Sequence, residues 1–296
     1  MVYVARQQSQ VRLRLARVPI LADLWERPLG MLGFTIVALF VLTAVFAPLL
    51  APYSYLKQDV PNRLADPSWA HLFGTDQLGR DLLSRMIYGS RVALGVALPS
   101  ISIALSIGIL LGLVSGYLGG IVDDVIVLAL DSVQTFPGII LILAIVALLG
   151  PSLRNLIIII GLTWSPGYAR VTRAQVFSVK QNLYIEAERS LGASGPRIVL
   201  GHILPNILAP ILILAAMDLP SVIVIEAGLS LLGLGLRPPN PSWGVILSEG
   251  FAQIRLTPWP ILWSGLALAI ITLGFTLFGE ALRDILDPRL AQTRRG

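Results

Sequence analysis

Three carboxylates stand out in the sequence because each lies within a long apolar stretch: Asp131, Asp218 and Glu226. An ionised carboxylate at the centre of a bilayer costs at least about 2–3 kcal/mol, so such groups usually face a bundle interior, a polar cavity or a partner. All three are therefore candidates for lining a polar pathway or for holding a transported proton. The structural alternative is a hydrogen bond between helices or at a helix end.

Asp218 is the best pathway candidate of the three. It lies in the middle of its apolar stretch, between Met217 and Pro220. Asp131 is only seven residues into its own stretch and Glu226 is close to the end of another, so both fit the structural alternative better.

The chain carries no recognised pattern for hydrolysis. It has no G-x-x-x-x-G-K-[ST] phosphate loop, no H-E-x-x-H and no G-x-S-x-G. It contains no cysteine, and its two histidines, His71 and His202, are far apart in sequence. We therefore expect a protein that is not an enzyme and that has no cofactor or metal of its own. Any energy derived from nucleotide must come from another chain.

A polar segment, YIEAERSLGASGPRIVLGHILPN at 184–206, lies between two long apolar stretches. Leu191-Gly192 is typical of a helix end, and Pro196 can begin the next helix because its missing N–H would be unpaired there. The segment predicts two short helices at an angle, held at a membrane face by the flanking stretches. An ordinary cytoplasmic loop is the simpler alternative.

The elements that position these residues are membrane spans. Of the 296 residues, 55% are hydrophobic and 13% charged, whereas about a quarter of a soluble domain is charged. The sequence predicts an all-α, polytopic membrane protein with six transmembrane helices. The first is expected at 29–50, and the other five form a core at 92–281. Within this core the third span ends near Leu149 after a break at Pro137, and the fourth begins near Leu156.

Charge predicts the orientation of the spans. Six spans place both termini on one side, and the segments on that side carry more Lys and Arg than those on the other. By the positive-inside rule, the N-terminal segment 1–28, the segment 184–205 and the tail 282–296 are cytoplasmic. The linker 51–91 and the loop 228–260 are then extracytoplasmic. The net charge of +5 reflects this topology, so we expect no nucleic-acid partner.

Two further patterns concern the helices themselves. The linker 51–91 ends in an amphipathic stretch around Leu82 and Met86, which predicts a helix lying in the membrane interface. The second span carries glycines four residues apart, which is typical of close helix packing in lipid. A glycine-lined pathway is the alternative. The glycines are Gly108, Gly112, Gly116 and Gly120.

Four separated strings resemble the permease subunits of ABC importers for dipeptides, oligopeptides and nickel. They are GTDQLGRDLLSR at 74–85, the segment 184–205, LSLLGLGLRPPNPSWG at 229–244 and LRDILDPRL at 282–290. The segment 184–205 resembles the EAA loop, the cytoplasmic coupling helix of these permeases. The match rests on Glu186, Ala187, Gly192 and the Ile203-Leu204-Pro205 ending, whereas Glu188 replaces a second alanine.

This resemblance implies a type I ABC importer permease fold and a C-type subunit in the cytoplasmic (inner) membrane. Its partners would be a second, B-type permease, two ABC ATPases that carry ATP and Mg, and an extracytoplasmic substrate-binding protein. Glu186, Ala187, Leu191 and Gly192 would dock on an ATPase, and Pro205 would orient the fifth span. The implied function is import of small peptides by alternating access, with nickel or another small solute as the alternative. The resemblance also favours a structural role for Glu226.

Two other classes of function stay open from the residues alone. A proton-coupled secondary transporter could use Asp131 and Asp218, and would work without ATPases. It would usually carry an internal inverted repeat, and none is recognisable in the sequence. An intramembrane enzyme would need paired catalytic groups in the bilayer, and no motif supplies them.

Overall fold

The computed structural model describes residues 24, 27–236 and 238–286; the predictions for most of the N-terminal segment and for the end of the tail lie outside them. The described residues are almost entirely helical and contain no strand, with one isolated β-bridge between Thr75 and Asp81. The helices are α1 Pro28–Val45, α2 Ala47–Leu50, α3 Leu82–Leu118, α4 Gly120–Gln134, α5 Gly138–Leu149, α6 Leu153–Lys180, α7 Leu183–Ser190, α8 Gly195–Ile198, α9 Leu204–Leu231, α10 Trp243–Ala252 and α11 Trp259–Leu286. A short 3-10 turn, Val60–Asn62, and a π-helical turn, Val199–Ile203, complete the set.

Four helices are long and apolar enough to cross a membrane: Pro28–Val45, Leu82–Leu118, Gly195–Leu231 and Trp259–Ile285. The pair α4 and α5 is bent by 79° and counts as a fifth span if it crosses as one unit. α6 is not among them, because Arg170, Arg173 and Lys180 make its second half polar. The all-α membrane fold is confirmed, whereas the count of six spans stays a prediction.

α3 differs from the expected arrangement. The amphipathic stretch around Leu82 is not a separate interfacial helix, because α3 runs without a break from Leu82 to Leu118. Asp81 caps it by accepting a hydrogen bond from the backbone N–H of Ser84 at 2.8 Å. At 37 residues α3 is about 55 Å long, which exceeds a hydrocarbon core of about 30 Å. α3 is therefore longer than one crossing of the apolar layer requires.

Close packing between α3 and α6 explains three of the four spaced glycines. A Cβ on Gly108 would lie 2.4 Å from the Cβ of Tyr168, and one on Gly112 would lie 2.5 Å from the carbonyl oxygen of Ala169. Gly116 meets α6 in the same way. Gly120 does not, since no atom lies within 4 Å of its Cβ position and its φ of +56° belongs to the turn that opens α4. The packing interpretation is therefore correct for the ladder up to Gly116.

Candidate coupling segment and carboxylate sites

The expected helix end in the coupling segment, residues 184–205, is present. α7 ends at Ser190, and Gly192 follows with a left-handed φ of +81°. The backbone N–H of Ala193 donates to the carbonyl of Glu188, and that of Gly192 donates to the carbonyl of Arg189, both at 3.0 Å. These two bonds form a Schellman cap, which requires a residue that adopts positive φ easily. Glycine is therefore needed at position 192 for backbone reasons.

α7 has one face buried against the protein and one face exposed. Ile185 is fully buried, whereas Glu186 and Ala187 are exposed. Two leucines at the ends of the helix are among the most exposed apolar side chains described, Leu183 at 80% and Leu191 at 87%. A short helix that presents two exposed leucines beside an acidic residue has the composition of a docking surface.

The second helix of the coupling segment begins as expected but continues into the fifth span. Pro196 lies in the first turn of α8, after Ser194 as its N-cap. The chain then continues through the π-helical turn Val199–Ile203 directly into α9, so that Gly195–Leu231 forms one continuous span. Pro205 has no N–H to donate to the carbonyl four residues earlier, and the wider turn precedes it. The expected second short helix is thus the first part of the fifth span.

Glu188, the departure from the family pattern, has a partner in this chain. Its carboxylate lies 2.9 Å from Nε2 of His202, which belongs to the π-helical turn. Both side chains are about one-third exposed. The pair connects α7 to the start of the fifth span across the Schellman cap.

Tyr117 anchors the coupling segment, although no pattern in the sequence indicates this role. It lies near the end of α3, and its backbone carbonyl accepts a hydrogen bond from Nζ of Lys180 at 2.7 Å. The guanidinium of Arg189 lies 5.5 Å from the centre of its ring, within cation–π range. A Cβ on Gly195 would lie 3.1 Å from its hydroxyl. Tyr117 therefore contacts α6, α7 and α8 at once.

A second group of polar contacts joins the end of α3, the start of α4 and the second half of α6. Asp123, near the start of α4, accepts hydrogen bonds from Nε and Nη2 of Arg173, each at 2.6 Å, and from the hydroxyl of Ser115. Bidentate contacts of this kind fix orientation as well as position. They hold α4 against α3 and α6 next to the coupling segment.

The three candidate carboxylates have three different partners, and no hydrogen bond or ion pair joins any two of them. Asp131 is exposed and pairs with Arg170 at 2.5 Å. Asp218 is partly buried and accepts a hydrogen bond at 2.7 Å from the hydroxyl of Tyr168. Glu226 is only 1% exposed and accepts a hydrogen bond from Ser230 within its own helix.

The string GTDQLGRDLLSR builds a buried ion-pair network on the side opposite the coupling segment. Asp76 accepts hydrogen bonds from the guanidinium groups of Arg80 and Arg85. Glu249 on α10 contacts the same two guanidinium groups, at 3.1 Å and 2.6 Å. Both arginines are at most 3% exposed, and Gly79, at φ +73°, has no room for a Cβ beside the backbone of Asp59. This string therefore has a structural role, and Glu249 is a member that the sequence analysis missed.

Among the described residues, no group of three or more His, Asp or Glu side chains is arranged to hold a metal ion.

Comparison with protein families agrees with this arrangement of helices. Residues 108–292 match the family described as "binding-protein-dependent transport system inner membrane component". The chain belongs to this family. Residues 20–67 match a second family, the "N-terminal TM domain of oligopeptide transport permease C". The chain is therefore an ABC-transporter permease component of a membrane and not an enzyme.

Individual relatives cover nearly the whole chain. The dipeptide transport system permease protein DppC of Alkalihalophilus pseudofirmus is 41% identical, over 90% of this chain and 88% of its own length. A probable D,D-dipeptide transport system permease protein of Escherichia coli is 37% identical, over 96% and 95%. The glutathione transport system permease protein of Shigella flexneri is 39% identical, over 90% of each.

A solved structure supports the fold. A chain of the MetNI methionine ABC transporter, in inward-facing conformations, superposes with a TM-score of 0.56 at 19% identity. The match covers 70% of this chain and 98% of that chain. The family and this likeness together confirm a permease fold of the ABC-importer type.

Proposed function

We propose that this chain is the permease subunit of an ATP-driven importer of small peptides in the cytoplasmic membrane. The names of three relatives, for dipeptide, D,D-dipeptide and glutathione transport, support this substrate class because each substrate is a short peptide. Nickel or another small solute is the alternative cargo.

The single observation that carries the coupling role is the exposed face of α7. Leu183 and Leu191 flank Glu186 and Ala187 on a surface that no described residue covers. We infer that this face docks in a groove of an ABC ATPase, where the leucines lose contact with water. Gly192 holds the turn that presents the face, and Pro205 directs the fifth span away from it. This orientation requires both termini and the coupling segment to be cytoplasmic.

The proposed mechanism is alternating access between two permease subunits. ATP-driven closure of two ATPases draws the coupling segments together, and the two permeases then open toward a substrate-binding protein outside. ATP and Mg²⁺ are held by the ATPases. Asp131 and Asp218 are proposed to line the pathway between the permeases. Glu226 is proposed to support the outer loop, because its partner Ser230 also lies 3.4 Å from Ser242 at the start of α10.

The test is purification of the tagged protein from its own host in mild detergent, with mass spectrometry of the proteins that accompany it. We expect a second permease, two ATPases and a binding protein, followed by ATP-dependent peptide uptake after reconstitution. A peptide in the binding protein supports the peptide assignment, whereas a metal chelate there replaces it with the alternative. A homo-oligomer that transports without an ATPase contradicts the proposal.

A further inference from the structure

The ion pair between Asp131 and Arg170 has an unusual position for two charged groups. Asp131 is about 16 Å along α4 from its first residue, and Arg170 is about 15 Å along α6 from its last, at 1.5 Å per residue. Both helix ends lie on the side of the coupling segment. Asp131 therefore lies inside the bent pair of α4 and α5 that counts as a candidate span, and Arg170 reaches it from α6. The two side chains are nevertheless 53% and 51% exposed.

No other ion pair among the described residues has both side chains more than half exposed. The pair on the coupling segment, Glu188 with His202, is about one-third exposed, and the pairs around Arg85 are buried. The pair between Arg27 and Asp284 has one member at 21%. Asp131 and Arg170 thus combine a place in or beside a candidate span with access from outside the subunit.

The surface around this pair is open and carries polar side chains among apolar ones such as Val133 and Phe136. Residues 131–137, where α4 ends and the chain bends before α5, are all exposed and include Ser132, Gln134 and Thr135. Gly167 lies one turn from Arg170 on the same face of α6, and no atom lies within 4 Å of its Cβ position. Within a membrane span, lipid cannot satisfy the polar part of this surface, because exposed polar side chains and irregular backbone there require protein or water.

An exposed ion pair in a hydrated space contributes little to stability, since water solvates both charges and the long side chains lose conformational freedom. Each residue of the pair can then exchange its partner for a charged group of a ligand at little cost in free energy. A ligand with a single charge would satisfy one member and leave the other unpaired. A zwitterion satisfies both, and arginine offers a carboxylate two parallel hydrogen bonds.

We propose that Asp131 and Arg170 form an exchangeable subsite for the charged ends of a zwitterionic peptide during its passage. Arg170 receives the carboxylate of the peptide and Asp131 receives its ammonium group, and the two residues pair with each other again after the peptide leaves. This inference rests on the proposed function, since it requires a peptide in a pathway along this face.

The test uses the full complex in proteoliposomes, with binding protein saturated by radiolabelled Ala-Ala. The double variant Asp131→Asn with Arg170→Gln removes both charges and nearly keeps both shapes. We expect uptake, and peptide transported per ATP hydrolysed, to fall by about tenfold or more, the effect of losing one or two charge-assisted contacts. The matched control, Arg27→Gln with Asp284→Asn, neutralises a partly exposed ion pair away from this face and is expected to keep normal uptake.

A second variant tests the same proposal if the double variant does not assemble into the complex. The chain has no cysteine, so Arg170→Cys supplies a unique thiol in this subunit. We expect its low uptake to be restored by aminoethyl methanethiosulfonate, which returns a positive charge, and not by the sulfonatoethyl reagent, which adds a negative one. The same reagents applied to complex containing the unaltered chain measure any effect on the other subunits.

The outcomes distinguish the proposed subsite from a purely structural role of the pair and from a wrong peptide assignment. Uptake within about twofold of normal by an assembled neutral variant overturns the subsite, as does full activity of unmodified Arg170→Cys. Failure of both variants to assemble assigns the pair to structure alone and also overturns it. If the unaltered complex shows ATP-dependent uptake of another solute but none of Ala-Ala, the peptide assignment itself is wrong and the subsite falls with it.

Discussion

Gly192 allows the coupling role to be tested by separating backbone strain from charge. Its φ of +81° is left-handed, and no atom lies within 4 Å of its Cβ position. A substituted side chain therefore meets no neighbour in the subunit. An L-residue other than Gly, Asn or Asp in this conformation costs about 1–2 kcal/mol, which lowers the population of the native cap about 5- to 30-fold relative to its alternatives.

Three substitutions at this position have different expected effects. Gly192→Ala adds strain without charge and should reduce the peptide transported per ATP hydrolysed, within that 5- to 30-fold range. Gly192→Asn tolerates positive φ and should be the mildest. Gly192→Asp has the shape of asparagine but adds a negative charge at the end of the docking face, which already carries Glu186. It should insert normally into the membrane and yet uncouple transport.

The assay compares, for each variant, the amount of complex in the membrane, the ATPase activity stimulated by loaded binding protein, and peptide uptake. Normal transport by Gly192→Asp would show that the docking assignment is wrong. If Asn and Asp are equally impaired, charge is not the cause. If Ala equals the unaltered chain, the Schellman cap does not control the orientation of the docking face.

Three further predictions concern packing and ion pairs. Gly112→Ala would force a Cβ to within 2.5 Å of α6 and should destabilise the protein by about 1–3 kcal/mol. The measurement is Tm in detergent, which should fall for this variant and not for Gly95→Ala, on the open side of the same helix. Glu249→Ala leaves two buried guanidinium groups with one carboxylate between them and should cost about 3–5 kcal/mol, with reduced folded protein in the membrane; an unchanged Tm would contradict the network. A double-mutant cycle of Glu188→Ala and His202→Ala in thermal unfolding should give a coupling energy below about 1 kcal/mol, because both side chains are partly exposed.

Local signals in the sequence predicted local structure well. The spacing of Gly108, Gly112 and Gly116 indicated close helix packing, and Gly192 with Pro196 indicated a helix end followed by a helix start. Each of these depends on a few neighbouring residues and on backbone chemistry. Gly120 shares the spacing but begins a new helix, because the preceding glycine breaks α3 with its φ of +69°.

The continuity of the long helices and the contacts between residues distant in sequence were not predictable from such local signals. The polar turns before the second and fifth spans suggested separate elements, yet α3 and Gly195–Leu231 are each continuous. Hydropathy changes along a helix without interrupting its hydrogen bonds. Glu249 lies 164 residues from Arg85, and nothing near either residue indicates that they meet. The role of Tyr117 is equally hidden, since three elements contact it only after folding.

The packing of α3 against α6 gives the coupling segment a physical connection to the ion pair between Asp131 and Arg170. α6 carries Arg170 and ends at Lys180, which is bonded to Tyr117 and lies just before α7. A Cβ at Gly112 has no space, so α6 cannot slide along α3 without disturbing close-packed backbone. We therefore expect α3, α6 and α7 to move as one body when an ATPase moves α7. Asp123 holds α4 to the same body, so the 79° bend between α4 and α5 offers the hinge at which this body moves relative to α5.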